Sequence, residues 1–228
     1  MNYLAHSVIS LEIDKKMSES TLYGNFAGDF YKGKVDKIDL QENLKNGIIL
    51  HRLIDKISDR EENFLNELLR EKFGIFKGIV SDMYVDHFLC KNFENIFCEN
   101  PDFENMEKVE RKIIKNIEKY DRLFPNDFRS FFDWLRREKV LVRYKDLDFL
   151  ERVFLGMSKR VRKGEILRNA VCELRRNYGE FEEKSLREFL FVRTEIEREF
   201  GLIMVNKYEW LNYNGGLLRW EKKNIQSE

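Results

Sequence analysis

The three histidines of this 228-residue chain all lie in its first 90 residues, and two of them stand near an aspartate. His51 comes four residues before Asp55, and His87 directly follows Asp86; His6 lies in the apolar start NYLAH. Each sits among apolar residues at helical spacing, where an ionisable group must be paired, hydrogen-bonded or bound to a metal. We therefore expect these side chains to share one site.

Asp29, in YGNFAGDFYKG, adds a further carboxylate to this set. Neutral imidazole nitrogens and carboxylate oxygens suit Mn²⁺, Fe²⁺, Mg²⁺ or Zn²⁺. Such ions lower the pKa of bound water and neutralise charge on a phosphoryl group. Each pattern alone has a simpler explanation, because a lone buried histidine can be satisfied within the core and a pair such as His51 and Asp55 can be a helical ion pair. Taken together, the segments favour metal binding.

The composition predicts an all-α protein built as a single-domain helical bundle. The chain has 41 basic and 41 acidic residues, 43% apolar residues and only 2 prolines, as expected of long amphipathic helices with charged outer faces. A net charge of zero argues against broad capture of nucleic acid or of an anionic membrane. The start lacks the features of a secretory signal and no stretch has the apolar length of a membrane span, so we expect a cytoplasmic protein.

Apolar spacing, capping residues and breakers predict helices over residues 3–13, 19–32, 40–57, 60–73, 82–98, 103–124, 127–138, 146–157 and 164–200. We expect the last helix to bend at Gly179 and to end before Gly201. The remaining tail contains β-forming residues and an Asn-Gly-Gly turn, which is compatible with a small hairpin. The expected organisation is a catalytic domain over residues 1–200 and a C-terminal appendage over residues 201–228.

Five separated segments carry a resemblance to a known family, and they are MNYLAH, LYGNFAGDFYKG, GIILHRLIDKISD, DMYVDHFL and VRYKDLDFLERVFLGM. In the same order and with similar spacing, they resemble the acyl carrier protein phosphodiesterase family over about residues 1–197. The resemblance implies a helical relative of the HD phosphohydrolases that depends on a divalent metal, Mn²⁺ first, with Mg²⁺ or Fe²⁺ as alternatives. It also implies hydrolysis of holo acyl carrier protein to apo protein and 4′-phosphopantetheine.

Matching by position implies a metal site formed by His6, Asp29, His51, Asp55, Asp86 and His87. Six side chains would leave one octahedral ion too little room for substrate and water, so some of them must orient the others. We expect the direct, catalytic ligands to be Asp29, His51, Asp86 and His87. Arg52 is expected to bind a phosphate oxygen through its guanidinium, with an ion-paired arginine as the alternative. Asn25 and Asp82 also fall within the matching motifs.

The acidic carrier protein implied as partner needs a local basic surface. Residues 136–175 contain 12 Lys and Arg against 6 Asp and Glu, a local charge of +6, with a dense run at Lys159, Arg160, Arg162 and Lys163. The same run could be a solvated connection between helices. Two other functions stay open: a related helical metallophosphohydrolase acting on a small nucleotide or another phosphoester, and a helical interaction module without catalysis.

Overall fold

The computed structural model describes residues 1–17 and 19–213, and over these residues the backbone forms helices and turns without a strand. The predicted all-α class is confirmed, while the likeness to HD phosphohydrolases remains a prediction. The helices are α1 (Tyr3–Met17), α2 (Leu22–Phe26), α3 (Glu42–Ser58), α4 (Asn66–Phe73), α5 (Lys77–Lys91), α6 (Phe93–Ile96), α7 (Met106–Glu118), α8 (Asn126–Glu138), α9 (Val140–Arg143), α10 (Leu147–Arg160), α11 (Ala170–Arg176) and α12 (Tyr178–Tyr213). Among the described helices, none combines the length and the apolar character needed to cross a bilayer.

Helix α1 is the central element of the bundle. Its residues 4–10 are all buried, including His6 and two serines, because α2, α3, α5 and α12 surround it. A helix buried on every side carries no solvated face on which a histidine could point outward. The fold therefore forces the His6 imidazole to find its partners inside the protein.

Two glycines bring α2 and α3 into backbone contact. A Cβ added to Gly24 would lie 2.0 Å from the carbonyl oxygen of Leu44, and one added to Gly47 would lie 2.2 Å from that of Thr21. Only glycine allows two backbones to approach so closely. This contact fixes the position of α2 along α3. It thereby fixes where Asn25, on α2, lies relative to His51, which is one turn after Gly47 on α3.

Helix α12 packs across α3 and α5 and is held by an ion pair between the half-buried Arg60 and the buried Glu188. Both carboxylate oxygens of Glu188 accept hydrogen bonds from the Arg60 guanidinium, at 2.6 and 2.8 Å. That guanidinium also lies 4.0 Å from the centroid of the Phe191 ring. The bidentate pair fixes α12 against the segment between α3 and α4.

The predicted end of the last helix was wrong. The chain breaks at Asn177, before Gly179, and α12 then continues through Gly201 to Tyr213. Phe200 and Met204 on either side of Gly201 are buried, and this packing outweighs the cost of about 1 kcal/mol for a helical glycine. Residues 202–213 are therefore helical, while the Asn-Gly-Gly turn at 214–216 lies outside the described residues. The division at residue 200 stays a prediction.

Several other predicted helices are shorter or interrupted in the structure; the one expected over 60–73 begins only at Asn66, and the one expected over 82–98 is broken between α5 and α6. The segment expected over 19–32 forms α2 and a separate 3₁₀ turn, Gly28–Phe30, and the segment expected over 103–124 forms α7 and a 3₁₀ turn, Asp121–Leu123. The break within 19–32 carries Asp29 on a turn instead of a helix face.

We predict that Gly47→Ala lowers the free energy of unfolding by about 2–3 kcal/mol, because the backbone of α2 cannot yield to the added methyl group. Gly179→Ala is the matched control, since a Cβ there meets nothing within 4 Å among the described residues. It should leave stability unchanged or raise it by up to about 1 kcal/mol. Urea unfolding followed by circular dichroism measures both, and equal stability of the two variants would contradict the close-contact argument.

Candidate active site

Four of the expected site residues meet at one cleft: His6 from α1, Asp29 from the 3₁₀ turn, and His51 and Asp55 from α3. We call them the His–Asp cluster. The Nε2 atom of His6 lies 3.3 Å from Asp55 Oδ1, and the Nε2 atom of His51 lies 3.2 Å from Asp55 Oδ2 and 3.4 Å from Asp29 Oδ1. The two imidazole rings are 4.7 Å apart between centroids.

The Asn25 side chain determines which nitrogen of His6 carries the proton. Its Nδ2 donates to the His6 carbonyl oxygen at 2.9 Å and to Ser10 Oγ at 2.7 Å, so its Oδ1 is the atom that faces His6 Nδ1, at 2.7 Å. An amide oxygen only accepts, and Nδ1 must therefore donate. Burial lowers the pKa of His6, which keeps the ring neutral at pH 7. The lone pair of Nε2 is left facing the carboxylate of Asp55.

His51 is buried, yet neither of its ring nitrogens makes a hydrogen bond to any of the residues that the structure describes. Leaving a buried polar atom without a partner costs about 1–3 kcal/mol. The ring is pressed against Gly28, where an added Cβ would lie 2.3 Å from His51 Cγ. Gly28 therefore fixes the His51 ring. The Nε2 atom of His51 points toward the carboxylates of Asp29 and Asp55 without a hydrogen bond to either.

Both carboxylates of the cluster are ionised at neutral pH. The contact with His51 lowers the pKa of Asp29. Burial alone would raise the pKa of Asp55, but the polar and charged groups around it, among them the Met1 ammonium, outweigh burial and lower that pKa. One ligand atom each from His6, His51 and Asp55 lies within 4.8 Å of the others. Imidazole nitrogens and carboxylate oxygens that face one another in this way form a donor set suited to a divalent cation.

The cluster lies in a cleft of about 220 Å³ that is also lined by Asp59 and Asp82. Burial raises the pKa of Asp82 to about 6, although its ion pair with the Met1 ammonium acts in the opposite direction. A larger cavity of about 1100 Å³ beside the C-terminal half of α1 does not include the cluster. Among its lining residues are pairs that already neutralise each other, such as Lys15 and Asp102, 2.6 Å apart. The chemistry therefore centres on the smaller cleft.

The structure places Asp86 outside this cleft, where it caps α1. The side chain is fully buried and accepts backbone N–H bonds from Leu4 at 2.7 Å, Ala5 at 3.2 Å and Asn2 at 3.3 Å. Burial raises the pKa of Asp86 to about 7 despite these three bonds. Instead of reaching the cluster as a direct ligand, Asp86 anchors the start of the helix that carries His6.

His87 is also separate from the cluster, and both of its nitrogens are occupied. Its Nδ1 lies 2.8 Å from the carbonyl oxygen of Tyr144, and its Nε2 lies 2.8 Å from Tyr178 Oη. A carbonyl oxygen only accepts, so Nδ1 donates to it and Nε2 accepts from the tyrosine hydroxyl. Burial lowers the pKa of His87 and the ring stays neutral. Contrary to expectation, this histidine joins α5 to the segment after α9 and to α12.

Arg52 does not line the cleft where a phosphate oxygen was expected to meet it. Its guanidinium donates instead to the carbonyl oxygen of Tyr31 at 3.0 Å. This bond ties α3 to the turn that carries Asp29. The structure therefore gives Arg52 a positioning contact beside the cluster.

Comparison with known proteins agrees with the resemblance drawn from the motifs. A sequence model described as acyl carrier protein phosphodiesterase matches residues 1–191. This chain belongs to the acyl carrier protein phosphodiesterase family. A relative of that name from Shigella boydii serotype 18 is 30% identical over 186 residues, which cover 80% of this chain and 90% of the relative. One from Klebsiella pneumoniae is 29% identical over 184 residues, covering 80% and 90%. No solved structure matches the chain.

Three further residues line the cleft of the His–Asp cluster. The sequence patterns did not predict Asp59 there, and they indicated Asn25 and Asp82 only as parts of motifs. Asp59 follows Asp55 by four residues, as Asp55 follows His51, so a helical stripe of 51, 55 and 59 was the available signal. The role of Asn25 had no such signal, because it depends on the approach of α2 to α1.

We predict that the two buried histidines respond differently to alanine. His87→Ala should lower the free energy of unfolding by about 3 kcal/mol, since it opens a cavity and leaves the Tyr144 carbonyl and the Tyr178 hydroxyl without their partner. His51→Ala should cost less than about half of that, because it also removes two unsatisfied nitrogens. Urea unfolding in metal-free buffer compares them, and equal losses would show that His51 is as much a structural residue as His87.

Proposed function

We propose that the His–Asp cluster binds a divalent cation, Mn²⁺ first among the candidates, and that the protein hydrolyses holo acyl carrier protein. The observation that carries the metal proposal is that two hydrogen-bond acceptors, one from His6 and one from Asp55, face each other at short distance. A neutral His6 exposes a lone pair to a carboxylate oxygen of Asp55 at 3.3 Å, and this repulsion is relieved when a cation lies between them. The relatives named acyl carrier protein phosphodiesterase support the choice of substrate.

His6, His51 and Asp55 would hold the cation, with Asp29 at the mouth of the cleft. The Asp29 side chain is 63% exposed, whereas those of His6 and His51 are nearly inaccessible, so Asp29 is the member that a substrate or water meets first. When bound, the cation would stabilise negative charge on the phosphoryl group and lower the pKa of an attacking water.

The protein's own residues prepare this chemistry by fixing atoms before the substrate arrives. Asn25 holds His6 in the tautomer with a free Nε2 lone pair, and Gly28 keeps the His51 ring in place. The ionised Asp29 can accept a hydrogen bond from the attacking water. Water oxygen then bonds to phosphorus, the bond from phosphorus to the serine oxygen breaks, and the serine oxygen gains a proton.

A basic surface next to the site fits the acidic partner. Lys159, Arg160, Arg162 and Lys163 are all exposed, at the end of α10 and in the turn that follows. Met157, two residues before the start of this run, lines the cleft of the His–Asp cluster. Opposite charge this close to the reacting bond speeds encounter and orients the carrier protein.

We predict that purified protein with Mn²⁺ converts holo acyl carrier protein to the apo form, with the mass loss of phosphopantetheine seen by intact-protein mass spectrometry. In ¹⁸O-water the label should appear in the released 4′-phosphopantetheine and be absent from the carrier serine, because the bond from phosphorus to serine oxygen is the one that breaks. Asp29→Asn should lower the rate by about 10²-fold or more, in the range of a lost catalytic carboxylate.

A panel of nucleotide phosphodiesters run beside the carrier protein separates the two hydrolase candidates. Turnover of the panel with none of the carrier protein would replace the proposed substrate by a small phosphoester. Full activity after prolonged treatment with a chelator would contradict the metal proposal while leaving the substrate intact.

A further inference from the structure

A second cleft continues from the candidate active site, and its volume is about 790 Å³. The two clefts share four lining residues, Asn2, Tyr3, Met83 and Met157. The second cleft runs from this shared wall between α8, α9 and α10. We call it the aromatic cleft. Its volume lies within the range of about 300–1,000 Å³ typical of small-molecule sites.

The lining of the aromatic cleft is mostly apolar. Beyond the wall shared with the active-site cleft, its aromatic and aliphatic members are Phe131, Trp134, Val140, Tyr144, Phe149 and Val153. Trp134 is only partly buried, and its ring lies 5.9 Å from that of Phe131 between centroids. None of these residues belongs to the His–Asp cluster. The chemistry described for the cluster therefore gives the aromatic cleft no role.

Three arginines, Arg143, Arg152 and Arg160, also line the aromatic cleft. Arg143 is engaged: it pairs with Glu138 at 3.2 Å and its guanidinium lies 4.4 Å from the centroid of the Phe149 ring. Arg152 and Arg160 are exposed, and Arg160 belongs to the basic run after α10. The cleft is therefore apolar along its wall and basic where it opens toward that run.

We propose that the aromatic cleft holds the pantetheine arm while the phosphodiester lies at the His–Asp cluster; this inference rests on the proposed function. The arm is an uncharged, flexible chain of amide and methylene groups that carries two methyl groups near its phosphate end and a thiol at the other. Apolar walls with a few polar groups suit such a chain. The shared wall gives it a continuous path from phosphorus, and the folded carrier protein stays outside at Arg152 and Arg160.

Gly156 provides the test, because it lines the aromatic cleft from the middle of α10. Among the residues of the described ranges, a Cβ there meets only the end of the Arg160 side chain, at 3.7 Å, so a larger side chain can be added without a clash with their backbone. Leucine is also a better helix former than glycine, which protects the fold of the variant. Gly156→Leu should therefore fill part of the cleft in a protein that remains folded.

The expected result is a rise of about tenfold or more in KM for holo acyl carrier protein, equivalent to 1.4 kcal/mol of lost binding. The loss in kcat/KM for bis(4-nitrophenyl) phosphate, which has no arm, should be at least about fivefold smaller. Gly179→Leu is the matched control, because in the part of the chain that the structure describes an added Cβ at Gly179 meets nothing within 4 Å and the residue lines neither cleft. It should behave as the wild type with both substrates.

An unchanged KM for the carrier protein in Gly156→Leu would overturn the inference, and so would equal losses with both substrates. Titration with 4′-phosphopantetheine, followed by the fluorescence of Trp134 against a Trp134→Phe control, distinguishes this failure from that of the proposed function. A Trp134 signal that is lost in Gly156→Leu supports the cleft even where the wild type does not process the carrier protein. Wild-type turnover without any Trp134 response to 4′-phosphopantetheine would remove the cleft and leave the proposed function standing.

Discussion

The hydrogen bond from His6 to Asn25 decides which nitrogen of a buried imidazole faces the cleft. The Asn25 amide also donates to the His6 carbonyl and to Ser10. A flip of this amide would lose all three hydrogen bonds. With Nδ1 committed to the amide, Nε2 presents its lone pair to Asp55. The repulsion between His6 and Asp55, and with it the argument for a cation between them, follows from that commitment.

Backbone packing makes this hydrogen bond possible. Gly24 and Gly47 allow α2 to rest on α3, which places Asn25 beside α1 and His51 beside Gly28. The third helix of the site is α1, which carries His6, and Asp86 holds it in place by capping its start. The residues that position the site, such as Asn25, Gly47 and Asp86, are thus not the ones that would bind the proposed cation.

The sequence patterns predicted the components of the site better than their roles. The stripe over α3 placed His51 and Asp55 on one helix face, because apolar spacing alone defines that face. Nothing local distinguished His87 from the other two histidines, since its partners Tyr144 and Tyr178 lie 57 and 91 residues away. Asp86 was predicted as a ligand for the same reason: the amides it caps belong to α1, which only the folded chain brings near. Likewise, the end of α12 was missed because packing at Phe200 and Met204 overrides the glycine between them.

The central claim is that one cation lies between the two imidazoles and the carboxylate of Asp55. Anomalous scattering from a crystal of the Mn²⁺-loaded protein tests it most directly, because the signal locates manganese without any assumption about activity. The account predicts a single strong peak within coordination distance of His6 Nε2, His51 Nε2 and an Asp55 oxygen. A peak beside Asp86 and His87, or full Mn²⁺ loading with no peak at the His–Asp cluster, would contradict it.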